Sequence, residues 1–201
     1  MLKLEDIDMV SVALRVDLHY DVTMAALKAG KHVYCEWPLA LNAEQGWDMY
    51  NLAHKNNLRH AVGLQARYTP EILYLRDLIK DGYIGRPLAV NVLHSHDRGY
   101  WRKWSNALFL EKKELGGNAL SIFMGHALDT ALFCTDQLES LSATSDVLVK
   151  KGVLSDTGET IDITAPDNAA MIGRLRNGAI ITVQVTWTAD PPQGWQMFAY
   201  G

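Results

Sequence analysis

The sequence predicts an α/β fold: the C-terminal half of a Rossmann-type dinucleotide-binding fold plus a partial α+β domain with an open antiparallel sheet. Three observations carry this. The apolar, Val-rich run Ile7–Leu14 is followed by a helix-period segment and a short apolar run at His32–Cys35, the rhythm of a parallel sheet. That rhythm repeats once more to Leu64, giving βαβαβ. Beyond Pro87 the chain turns strand-rich, with Asn177-Gly178 as a hairpin signal, which points to an antiparallel sheet.

Taken in order, Ile7–Leu14 reads as a strand covered on both faces. Asp17 is the expected cap of helix Leu18–Ala29. Its inward face is expected to be Val22, Ala25, Ala26 and Ala29, and Gly30 stops it. His32–Cys35 forms the next strand, and Pro38 ends regular pairing directly after Glu36 and Trp37. Asn42 caps a second helix to Asn56, with Glu44 and Gln45 in its first turn. Leu58–Leu64 is the third strand. Thr69 caps, Pro70 opens and Gly82 ends a helix over 69–81. Residues 1–66 are therefore expected to form the partial dinucleotide-binding domain and 67–201 the partial α+β domain.

In the second part, Pro87–Ser95 alternates apolar and polar residues, as a half-buried strand does. Asp97–Lys113 reads as a polar, aromatic loop, and Leu115–Phe133 as a helix running through Gly116 and Gly117. Leu138–Val149, Asn168–Arg176 and Ala179–Thr188 read as strands. On the last, Ile181, Val183, Val185 and Trp187 share one face. Ile180, Thr182, Gln184 and Thr186 share the other, polar enough for a wet interface.

The composition, 48% hydrophobic and 21% charged in 201 residues, is globular. A net charge of −4 without a basic run argues against direct nucleic-acid binding. Cys35 and Cys134 lack metal-type spacing and read as reduced thiols of an intracellular protein, cytoplasmic or nuclear. Lys3, Glu5, Asp6 and Asp8 speak against a leader at the start of the chain. No apolar run reaches the roughly 18 residues of a membrane span.

The run Ile7–Ala40, with its closing Glu36-Trp37-Pro38, resembles the Gfo/Idh/MocA oxidoreductase family. That family carries a Glu-Lys-Pro turn whose lysine faces the substrate; here the lysine position is Trp37. Gly63–Gly85 and Gly125–Asp129 resemble the branch containing the fungal galactose-regulon repressor, which keeps the fold and works as a regulator. The resemblance implies NAD or NADP as cofactor and hydride transfer on a sugar or polyol. For the repressor-like branch it implies a transcription activator as protein partner, and for full-length members a homo-oligomer. No G-x-G occurs in the sequence. The family's phosphate-cradling motif precedes the point matching Met1, so the chain reads as truncated at both ends, with Ile7–Leu14 an open edge.

The same resemblance suggests the site. His126 is the expected proton-transfer residue, in a pattern where an acid four residues earlier shares its helix face; here that position is Ile122. A hydrogen-bonded structural histidine is the competing reading. Arg15, His19, Glu36, Trp37 and Pro38 are the expected cofactor-pocket elements, with a packed or interface aromatic the alternative for Trp37. Arg67, His96, Tyr100 and Trp101 are the expected substrate contacts. For Arg67 an interdomain ion pair competes, and Asp129 reads as structural. His94, His96 and Arg98 alternate on one strand face, and no metal site is expected among them.

Overall fold

The computed structural model describes residues 4–97 and 102–201, Arg102 by its backbone alone. The first part is a parallel sheet in the order β1-β2-β3, formed by Met9–Val12, His32–Glu36 and His60–Gly63. Helices α1 (Val16–Lys28) and α2 (Ala43–Lys55) pack together over one face. β1 therefore alternates: Val10 and Val12 are buried while Met9 and Ser11 are exposed. The expected double coverage is corrected, because both helices lie on the same side of the sheet.

Asp17 does not cap α1. Arg15 holds the N-cap position without a side-chain cap bond, and Asp17 sits in the first turn. Starting two residues early rotates the buried face to Val16, His19, Thr23, Ala26 and Leu27, leaving Ala25 and Ala29 exposed. The predicted stop at Gly30 holds, with Gly30 N donating to Leu27 O and Lys31 N to Ala26 O in a Schellman closure. Asn42 caps α2 as expected, its Oδ1 accepting from Gln45 N at 2.9 Å. The Gln45 side chain reaches back to Leu41 N.

A short 3₁₀ turn, Gln65–Tyr68, leads into α3 (Pro70–Lys80). Thr69 precedes α3 without capping it, because its hydroxyl donates backwards to Ala66 O. The large sheet has the order β11-β4-β10-β9-β6. Its strands are β4 (Ala89–Ser95), β6 (Leu138–Asp146), β9 (Asn168–Leu175), β10 (Ile180–Thr186) and β11 (Gly194–Tyr200). β4 and β10 run parallel, so the sheet is mixed rather than wholly antiparallel. The Asn177-Gly178 turn closes the β9–β10 hairpin.

The 97–113 segment carries more structure than a loop. β5 (Arg102–Lys103) joins β7 (Lys151–Leu154) and β8 (Thr160–Asp162) in a small sheet, and a 3₁₀ turn spans Ser105–Leu110. Under that sheet Lys103 Nζ meets Glu111 Oε1 at 3.1 Å, both side chains buried. β11, β7 and β8 escaped the sequence reading because each is short or interrupted by polar residues.

The helix expected through Gly116 and Gly117 begins after them. Gly116 sits at φ +77°, where a Cβ would also stand 3.0 Å from Val16 Cγ1, so this corner demands glycine. Asn118 then caps a π-helical turn, Ala119–Met124, exchanging bonds with Ser121 in a capping box. α4 (Gly125–Cys134) continues it. This composite helix lies over the inner face of the large sheet, where Ile181, Val183, Val185 and Trp187 are buried as predicted. Burying each such aliphatic side chain contributes roughly 1.5–3 kcal/mol.

The outer face is less polar than β10 alone suggests. Ile172 and Phe198 are about half exposed there. Both edge a shallow groove of about 680 Å³.

Candidate functional site

The ends of β1 and β2 and the start of α4 meet at one seam, and Trp37 crosses it. Its Nε1 donates to Ser121 O at 2.8 Å. Its ring lies so close to Gly125 that a Cβ there would be 2.6 Å from Cε2 and Cζ2. The indole thus fills the position where a lysine would project. Ser121 and Gly125, which receive it, were missed by the sequence reading. The Asn118-x-x-Ser121 capping spacing was the available signal.

His19 was expected beside the cofactor. It is 1% exposed, with Nδ1 2.9 Å from Pro38 O and Nε2 2.9 Å from Leu14 O. Both ring nitrogens are therefore engaged in tying the end of β1 to the turn after β2, and Pro38 contributes its carbonyl to that tie. Arg15 pairs with Asp17 at 3.0 Å and is half exposed. The second carboxylate oxygen of Asp17, Oδ1, is buried without a hydrogen-bond partner, an acceptor left open at the strand end. Glu36 is exposed at the tip of β2.

Arg67 is committed. Its Nε donates to Asp129 Oδ2 at 2.8 Å and Oδ1 at 3.1 Å, and its Nη2 also donates to Oδ1. That bonding raises the guanidinium pKa. The guanidiniums of Arg67 and Arg76 sit 5.3 and 5.0 Å from the Phe133 ring centroid. This is the ion-pair alternative for Arg67 rather than a free anchor.

His126 opens the first turn of α4, half-buried. Its ring makes no hydrogen bond among the described residues. Burial lowers its pKa, with Asp129 and then Glu36 pulling it back up. The imidazole is therefore neutral near pH 7. Ile122 packs partly buried against the sheet core. The expectation that positions 122 and 126 share one helix face assumed a regular α-helix. Residue 122 lies in the π turn, whose wider winding offsets that face.

His94 stacks on Phe123, centroids 4.1 Å apart and planes 4° off parallel. His96 and Trp187 meet the same ring edge-on at 5.6 and 5.2 Å. Tyr100 and Trp101 lie outside the described residues. Among the described residues no group of three or more His, Cys, Asp or Glu is arranged to hold a metal, and no helix is long and apolar enough to cross a membrane.

A parallel βαβ sheet whose strand ends face a helix laid on a second, mixed sheet defines a dinucleotide-fold oxidoreductase or a relative of one. Residues 1–64 match the oxidoreductase family with NAD-binding Rossmann fold, and residues 72–201 match the GFO/IDH/MocA C-terminal domain. The chain belongs to the GFO/IDH/MocA family. Dehydrogenase aclE of Aspergillus oryzae is 30% identical over 97% of this chain and 54% of its own length. The galactose/lactose metabolism regulatory protein GAL80 of Kluyveromyces lactis is 29% identical over 88% of this chain and 42% of its own. A levoglucosan dehydrogenase solved with NADH and L-sorbose superposes with a TM-score of 0.90 at 25% identity, over all of this chain and 54% of that one. The chain spans about half the length of these relatives.

Proposed function

We propose that this chain belongs to an NAD(P)-dependent oxidoreductase that oxidises a sugar or polyol hydroxyl, with His126 taking the hydroxyl proton. One observation carries the reading: His126 is a neutral, uncommitted imidazole at the seam, whereas Asp129 is tied to Arg67. When bound, the nicotinamide accepts the hydride. Asp17 Oδ1, the orphaned acceptor at the β1 end, would bind a ribose hydroxyl. Glu36 would hold positive charge on His126 once it is protonated. Trp37 would exclude water from the seam. The sequence contains no glycine-rich phosphate motif, so the pyrophosphate has no holder among these residues.

A second reading is favoured by Trp37 and Ile122, which replace two groups of the family pattern that exchange protons. It makes the protein a nucleotide-responsive regulator whose partner is a transcription activator. For the full-length protein we further infer a homo-oligomer formed through the outer face of the large sheet. The two functions separate in one assay. A chain completed with a glycine-rich half should form NADH from a panel of polyols and sugars. Binding NADH without turnover on any of them would favour the regulator.

A further inference from the structure

We propose that the cavity between α2 and the β2–β3 side of the parallel sheet is a binding site for a small phenol-class molecule, a single aromatic ring carrying a hydroxyl. The cavity measures about 170 Å³, and one of about 150 Å³ takes a benzene ring. Leu27, Val33, Leu39, Met49 and Val62 give it apolar walls. Tyr50 and His60 also line it, both exposed, so they mark its outer end. Their rings meet edge-on with centroids 5.5 Å apart. The site is separate from the seam and does not depend on the oxidoreductase reading.

The polar end of the cavity is the Thr23 hydroxyl. Thr23 lies within α1, lines the cavity and is 3% exposed. A helical threonine ordinarily turns its hydroxyl back to the carbonyl four residues earlier. Thr130 does so to His126 O at 2.8 Å, and Thr135 to Ala131 O at 2.7 Å. Thr23 does not: among the described residues its Oγ1 has no hydrogen-bond partner of proper geometry. The polar side chain beside it is Cys35, which is buried on β2 and lines the same cavity. The hydroxyl therefore points away from its own helix and toward the sheet, into the cavity. A thiol is a weak partner, and a buried hydroxyl left unpaired is destabilising.

Gly46 is the second, independent feature. It lies inside α2 and lines the cavity, and glycine weakens a helix interior relative to alanine. A Cβ at 46 would meet only Leu39 Cδ2, at an ordinary 3.8 Å. Close packing therefore does not demand glycine here; what the absent side chain leaves is room in the cavity. An ordered water needs two to four polar partners, and the deep side chains offer one hydroxyl and one thiol. A ring against the apolar walls, with its own hydroxyl on Thr23 Oγ1, satisfies both the space and the orphaned group.

The test titrates the isotope-labelled 201-residue chain with phenol and with benzene, following the methyl resonances of Leu27, Met49 and Val62. Both probes should shift them saturably, phenol with a dissociation constant of about 1 mM and benzene more weakly. Thr23→Val keeps the side-chain shape and removes the hydroxyl. It should weaken phenol about fivefold and leave benzene at least as tight. Gly46→Leu should abolish both, because the new side chain fills the cavity. Thr23→Val carries the decision if Gly46→Leu fails to fold. An unchanged phenol affinity in Thr23→Val would overturn the proposal. So would the absence of saturable phenol shifts in the native chain, or their survival in a folded Gly46→Leu variant.

Discussion

The Trp37 indole and Gly125 are in contact across the seam between the parallel sheet and α4, and the ring occupies the space a side chain at 125 would need. The Nε1 bond to Ser121 O fixes the ring in that position. Gly125→Ala should expel the indole, costing about 1–3 kcal/mol as overpacking does. Urea unfolding followed by tryptophan fluorescence would read both the midpoint and the ring's new exposure. An unchanged midpoint and spectrum would mean that the contact is loose.

Arg67 and Asp129 should be coupled energetically. The pair is partly exposed, with Arg67 40% and Asp129 12% accessible, so its worth is discounted from that of a buried pair. A double-mutant cycle with Arg67→Met and Asp129→Asn should give a coupling of about 0.5–2 kcal/mol. A coupling near zero would free Arg67 for the substrate role first expected of it.

Asn118 should matter more than an exposed asparagine does. Its side chain starts the composite helix that presents Ser121 to Trp37 and carries His126. Asn118→Ala should cost about 0.5–2 kcal/mol, with Asn118→Asp close to neutral. Equal losses from both variants would argue against the capping role.

Stability should fall on acidification through the histidine range. His94 and His126 have native pKa values lowered by burial. The unfolded chain therefore binds more protons than the native one below about pH 6.5, and stability rises with pH there. The contribution is present above the unfolded value and is lost as pH falls toward the lowered native values. Urea midpoints between about pH 7 and about pH 5 should decline less in a His94→Gln, His126→Gln double variant. A decline of the same size would assign the effect to other groups.

The strong periodicities were legible. The βαβαβ rhythm, the Asn42 cap, the Gly30 stop and the inward face of β10 all follow from residue spacing, which local sterics enforce. The site was less legible, because its chemistry depends on distant partners. Nothing near His19 in sequence says that Leu14 and Pro38 carbonyls will meet its two nitrogens. Nothing near Arg67 points to Asp129. The glycine pair at 116–117 misled for a local reason: helix-compatible neighbours masked a left-handed corner, and only the Asn118–Ser121 spacing marked the true start. The π turn that follows then offset the expected face of residues 122 and 126.

The most direct test of the oxidoreductase reading removes the His126 imidazole. In a chain completed with a glycine-rich phosphate-binding half, NADH formation from a sugar or polyol should be measurable. His126→Gln should reduce it by about 10²–10⁴-fold with NADH binding retained. Turnover that survives His126→Gln would contradict the account, as would a completed chain that binds NADH and oxidises none of these substrates.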